Sequence, residues 1–213
     1  VKKIYANLED AFGRATAVYG PIDEWFVNLP ESVTANQRLA DRMTEFMKIS
    51  KSCGLTGAGC FSSTGYNNLV SSVRDRNPMT FGTEPMYLLA DGTALDFYLS
   101  SRICNSNYSA VDNSPLTQIC GIIYLDIDGV KGVNTLGKDY FDAAFYVTKT
   151  GVYPLGSQIC KYGTNENLLN MCFKTGSSCA GWVIETGNMD YLKAKEGVCP
   201  NGTILSWENT SCK

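Results

Sequence analysis

Four side chains that carry oxygen donors, Asp126, Asp128, Asn134 and Asp139, fall within one stretch punctuated by Gly129, Gly132 and Gly137. Carboxylates and an amide spaced along a turning loop are the donor set that a hard cation such as calcium selects. The opening Asp126, Asp128 and Gly129 match the start of a helix-loop-helix calcium site. The twelfth position does not, because Gly137 stands where a bidentate glutamate is required. The same residues also suit a turn in which Asp and Asn side chains accept hydrogen bonds from backbone amides. Both readings stand at the level of sequence.

Other chemistry is harder to build. The chain has no histidine, which removes Ser-His-Asp and Cys-His nucleophiles, HExxH zinc sites and imidazole acid-base catalysis near neutral pH. Asp23 with Glu24, and Asp139 with Asp142, are paired acids of the kind a glycosidase needs across a cleft. Pairs so close in sequence are ordinary, and no enzymatic activity is expected. Trp25, Trp182 and Trp207 could stack on a ligand, but large aromatics more commonly fill cores or interfaces. The net charge of −3 offers no basic stripe for phosphates. Nucleic acid is therefore not an expected partner, a local patch around Arg74, Arg76 or Lys131 being the one place it could be held.

Nine cysteines lie along the chain without the repeated CxxC pairs of a structural zinc site. An exported, oxidised protein accounts for them best. Their clustering suggests Cys53 with Cys60, Cys104 with Cys120, Cys160 with Cys179, and Cys199 with Cys212. That leaves Cys172 over, either free or paired with Cys179 or Cys160 in place of that assignment. No run approaches the roughly 20 apolar residues of a membrane span, and no signal peptide is visible. An oxidised protein without an export signal is expected to have lost one.

The elements that position these residues follow from periodicity. Val1, Ile4, Tyr5, Leu8, Ala11, Phe12, Ala15, Val18 and Tyr19 recur at the spacing of an amphipathic helix, which Gly20 and Pro21 stop. The helix opens without a cap, as if in mid-course. A second helical pattern runs from Thr34 to Lys51 through Leu39, Met43, Phe46, Met47 and Ser50, followed by a glycine-rich loop from Cys53 to Cys60. From Met86 the period becomes two. Residues 86–90 and 93–100 around Asp91 and Gly92 predict a hairpin, 117–127 a third strand and 143–148 a fourth, with a turn at 149–151 and a short segment at 152–154. Beyond Gly156 the pattern weakens; residues 181–184 could be strand or short helix, and 188–192 a helical turn. The order predicts one α+β domain over 1–213: the first helix over 1–20, helix and loops over 21–85, an antiparallel sheet of about four strands over 86–156, and a cysteine-rich region over 157–213.

Several segments together resemble bacterial type IV pilin-like proteins and pseudopilins: Tyr19-Gly-Pro-Ile-Asp-Glu-Trp25, the stretch from Asp126 to Phe141, Gly151-Val-Tyr-Pro-Leu-Gly156, Cys179-Ala-Gly-Trp-Val-Ile184 and Gly187-Asn-Met-Asp-Tyr-Leu192. The resemblance covers most of the chain. It implies a long N-terminal helix whose hydrophobic first half, absent from this sequence, anchors the subunit in the inner membrane and later packs in a fibre core. The segment from Val1 then corresponds to the amphipathic second half, with Ile4, Leu8, Phe12 and Ala15 as the assembly face that holds the head on the helix. Partners would be other pilin subunits and the inner-membrane assembly machinery. The resemblance also strengthens the calcium reading of Asp126, Asp128, Asn134 and Asp139, and likens the Cys199–Cys212 loop to an outward-facing, disulfide-bounded pilin loop. The expected function is a subunit of a type IV pilus-like extracellular fibre. The alternatives are a type II secretion pseudopilin or a fibre-tip adhesin whose loops from Cys53 to Pro85 and from Cys160 to Cys212 bind a surface receptor.

Overall fold

Apolar spacing dictates the first element of the computed structural model, which describes residues 1–30, 34–63, 66–69, 74–75, 82–108, 114–160 and 165–213, with 74–75 and 165–167 as backbone only. Helix α1 spans Lys2–Tyr19 and buries Ile4, Leu8, Ala11, Phe12 and Ala15 on one side. Gly20 ends it at φ 76°, a left-handed conformation that costs a residue without Cβ little, and its N–H bonds the Thr16 carbonyl. The chain turns at Pro21, and the Trp25 indole N–H holds the corner by donating to the Gly20 carbonyl at 2.8 Å.

Helix α2 spans Ala35–Thr44 and is capped by Thr34, whose hydroxyl accepts from the Gln37 amide. It stops well short of Lys51, where the helical pattern suggested its end. Phe46 and Met47 continue the pattern because they still pack against the core, yet the backbone has already left the helix. Residues Ile49–Gly54 form strand β1, and the Ser50 hydroxyl bonds the Leu88 and Leu89 carbonyls of the neighbouring strand.

The sheet is larger than the four strands expected. Two short strands, β2 (Tyr66–Asn67) and β3 (Arg74–Asp75), precede the hairpin of β4 (Met86–Leu89) and β5 (Ala94–Leu99). They are followed by β6 (Ile119–Asp126), the two-residue β7 (Asn134–Thr135), β8 (Tyr140–Thr148) and β9 (Val152–Pro154). Six of these make one sheet in the order β1-β4-β5-β6-β8-β9, antiparallel throughout. A second, three-stranded sheet, β3-β2-β7, pairs β2 with β7 in parallel. Strand β1 escaped the sequence pattern because it is a mostly exposed edge without alternation. The start of β8 escaped because the strand bulges between Phe141 and Phe145, where Ala143 sits at φ 42°, and the bulge breaks the period of two. Helices α3 (Asn165–Thr175) and α4 (Ala180–Thr186) complete the chain, together with a helical turn at Asp190–Leu192.

Both faces of the sheet are covered. Leu95, Phe97, Ile123, Leu125, Phe145 and Val147 meet α1, α2 and α4 in the main core, with Tyr5 of α1 stacked on Phe145. The opposite face divides into a cluster around Phe61, Met86 and Tyr140 and another around Ile119, Ile122 and Tyr146. Two-sided burial is why β6 reads as a continuous apolar run with no polar alternation. Each large apolar side chain fully buried in this way contributes about 1.5–3 kcal/mol.

Gly121 in β6 lets α2 lie this close. A Cβ there would stand 2.5 Å from Leu39 Cδ2 and 2.9 Å from the Tyr98 carbonyl oxygen. The tip of the Leu39 side chain could yield, but the backbone of β5 could not. Gly121→Ala is therefore expected to lower unfolding free energy by about 1–3 kcal/mol in urea titrations, and an unchanged midpoint would refute this role for the glycine.

Candidate functional site

The surface of α1 divides sharply. Ile4, Leu8, Phe12 and Ala15 are at most 7% exposed, so the stripe expected as an assembly face is used up in holding the helix on the sheet of its own chain. The face turned outward carries Lys2, Ala6, Glu9, Asp10, Gly13 and Ala17, all exposed. Helical spacing already sets Lys2, Glu9 and Asp10 opposite the apolar stripe; Ala6, Gly13 and Ala17 are the additions. Gly13, a glycine in the middle of an otherwise well-formed helix, was the available signal.

A groove of about 460 Å³ runs beside this face, between α1 and the Phe46–Lys48 and Leu89–Asp91 segments. Lys3 bridges it to Asp91 at 2.7 Å, and the Arg14 guanidinium lies over the Phe46 ring at 4.8 Å. At the far end of the helix Tyr19 donates a short hydrogen bond to Glu45. These contacts fix the helix azimuth, so the outward face is presented in one orientation.

The Asp126–Asp139 stretch is brought together only in part. Asp126 is fully buried, and its carboxylate accepts from the amides of Asp128 and Gly129 at 3.2 and 2.8 Å and from Asn134 Nδ2 at 2.6 Å. Asp139 faces the next turn and accepts from the Thr135 amide. Both oxygens of Asp126 and Oδ1 of Asp139 are thus engaged by N–H groups, and Asp128 Oδ1 and Asn134 Oδ1 are buried oxygens without a hydrogen-bond partner. Two such oxygens fall short of the six to eight that calcium takes. Among the described residues no group of three or more His, Cys, Asp or Glu is gathered to hold a metal ion. The arrangement performs the structural task of pinning the turn that carries the exposed Val130 and Val133. Burial, and then the neighbouring Asp128 carboxyl, push Asp126 up to about 8.

A second acid pair was not foreseen. Asp96, in the middle of β5, is fully buried on the face that carries Met86 and Ala94, and burial followed by the adjacent Glu84 carboxyl pushes it up to about 9. Alternation placed Asp96 on a strand but could not show that this face is covered. Arg76 lies outside the described residues, as does the side chain of Arg74; Lys131 is exposed at the tip of the 127–133 turn.

Four disulfides close short loops: Cys53–Cys60, Cys104–Cys120, Cys172–Cys179 and Cys199–Cys212. The third corrects the expected Cys160–Cys179 pair. Cys172 near the end of α3 and Cys179 at the start of α4 meet in the main core, whereas Cys160 belongs to the cluster on the opposite sheet face. Trp182 and Trp207 pack together at 5.2 Å between centroids, and Trp25 tilts against Phe12, so all three tryptophans pack with other aromatic rings. Among the described residues no helix is long and apolar enough to cross a membrane. No protein-family model, curated protein or solved structure matches this chain.

Two measurements follow. Cys160 is buried, and its thiol is pushed up to about 12 by that burial. Iodoacetamide is therefore expected to label no cysteine in the native protein and only Cys160 after denaturation without reductant, while peptide mapping links Cys172 to Cys179; label on Cys172 would reject that pairing. The acid pairs set a pH dependence. A carboxyl raised in the folded state keeps a proton that the unfolded chain releases above about pH 4. The contribution of these two carboxyls to stability is then greatest at low pH and declines as pH rises towards 9, opposite in sign to that of Asp91 and Asp190, which their lysine partners lower. Asp96→Asn is expected to flatten that decline, as read by melting temperature across the range, and a variant with the parent's slope would rule Asp96 out as its source.

Proposed function

We propose that this chain is a structural subunit of a type IV pilus-like fibre outside the cell, held at the inner membrane before assembly. No bond is made or broken in this role. Subunits associate through helix packing, with lateral contacts from the disulfide-closed loops.

The observation that carries the reading is the two-sided character of α1. Over 18 residues its apolar face is spent within the chain, yet its other face stays open along the same length and contains small and oppositely charged residues. A charged outer face is common to surface helices; the support for the reading lies in the small residues Ala6, Gly13 and Ala17 on that face, which leave its backbone open to a neighbour. The disulfides support the reading in a different way, since each closes a short loop and constrains the unfolded chain by about 2–4 kcal/mol, a benefit to a protein exposed outside the cell.

The test uses a peptide tag inserted at Asn201, an exposed position in the loop closed by Cys199 and Cys212, in the full-length protein on cells that make it. Gold-labelled antibody is expected along the length of filaments. Label confined to one end would move the protein to a tip position. Label only on cell envelopes, with no filament decorated, would reject the fibre reading.

A further inference from the structure

Glycan acceptors on the surface loops of exported proteins carry a short signature, Asn-x-Ser or Asn-x-Thr with x other than proline. The chain holds three, beginning at Asn107, Asn201 and Asn209, and two of them lie inside the loop closed by Cys199 and Cys212. The tripeptide alone is common in any sequence. What separates the three is the state of each carboxamide in the fold.

Asn201 spends both ends of its carboxamide locally. Its Nδ2 donates to the Lys213 carbonyl at 3.0 Å, and its Oδ1 accepts from the Thr203 amide at 3.0 Å. Asn107 also has a contact of its own, and Ser109, which would complete its signature, lies outside the described residues. Asn209 differs from both. Its side chain is exposed, and among the described residues only its backbone is bonded: the amide donates to the Ser206 hydroxyl and carbonyl at 3.1 and 3.2 Å, and the carbonyl accepts from the Ser206 amide at 3.0 Å. Just beyond it the Thr210 carbonyl accepts from Asn188 Nδ2 at 3.0 Å, and the Cys212 amide donates to Asp190 Oδ2 at 2.9 Å. Trp207, two residues before, packs on the buried Trp182. The tripeptide is therefore held through its backbone on either side, has no helix or strand to unwind, and presents a carboxamide with no bond to break.

We infer that Asn209 is the attachment site of an N-linked glycan. The sugar arrives as a glycosyl pyrophosphate, on a nucleotide or a lipid carrier, and a transferase joins it to the side chain. Nδ2 bonds the anomeric carbon while the bond from that carbon to the phosphate oxygen breaks. The electron pair leaves on the pyrophosphate, and one Nδ2 proton passes to a base of the transferase. The Ser211 hydroxyl completes the signature that the transferase reads. The position also suits the product, because Ile204 and Val198, 68% and 46% exposed and paired with each other at this loop, form an apolar surface that a bulky hydrophilic substituent shields. The assignment does not depend on the fibre reading, and failure of either leaves the other standing.

The test reads the full-length protein purified from the cells that make it, reduced, digested and sequenced by electron-transfer mass spectrometry. The peptide holding Asn209 is expected to carry the mass of hexose or N-acetylhexosamine on that residue, a single sugar marking a nucleotide carrier and a preassembled oligosaccharide a lipid carrier. Asn107 and Asn201 are expected to be bare. Ser211→Ala is expected to remove the sugar completely with all four disulfides intact, and Ser211→Thr to keep it. Bare Asn209 in the unsubstituted protein would overturn the assignment, as would sugar on a serine or threonine oxygen of the loop in its place. Sugar on Asn201 with Asn209 bare would overturn the choice made by the unbonded carboxamide. Sugar retained on Asn209 in Ser211→Ala would overturn the part given to the hydroxyl.

Discussion

Burial of β6 on both faces is the constraint from which most of this structure follows. The strand lies between β5 and β8, with α2 and the main core on one side and the Ile119–Tyr146 cluster on the other. With no water on either face, any polar group near the strand has to be satisfied locally. Asp126 at its end therefore turns into the backbone amides of its own loop. Gly121 is excluded from carrying a side chain because α2 already occupies that space. Cys120 is tied to Cys104 and so fastens the loop that follows β5 to the strand.

The same constraint marks what could be read from sequence. The stripe Ile4, Leu8, Phe12 and Ala15, the hairpin around Asp91 and Gly92, and the body of β6 were legible because in each case burial and backbone share one period. Elements failed to show where the two part company. Phe46 and Met47 are packed as a helix would pack them although the backbone there runs in tighter turns, their amides bonding the Met43 and Thr44 carbonyls, and β1 is a strand with no alternation at all. The bulge at Ala143 concealed three residues of β8. The disulfide partner of Cys179 is Cys172, its nearer neighbour along the chain at seven residues, while the sheet places Cys160 on its far side.

The candidate site was legible in a different and more limited way. Asp126, Asp128 and Asn134 were recognised as residues that converge, and they do. Whether such a group grips a cation or its own backbone depends on where the amides point, which spacing cannot reveal. The charged part of the outward face of α1, Lys2, Glu9 and Asp10, was legible from the same helical spacing, whereas Ala6, Gly13 and Ala17 were not, because small side chains carry no periodic signal of their own. Asp96 was hidden because alternation assigns a polar residue to the open side of a strand, and at β5 both sides are covered.

All four disulfides span short separations of 7 to 16 residues, and none links α1 to the sheet. Tension applied along the helix axis would accordingly travel through the apolar seam of Ile4, Leu8, Phe12 and Ala15, loaded in shear, while the covalent loops stayed closed and withheld their residues from extension. Helix and head are thus joined along that line by noncovalent contacts alone, the apolar seam with Lys3–Asp91 and Tyr19–Glu45 beside it, whereas the loops of the head are closed covalently.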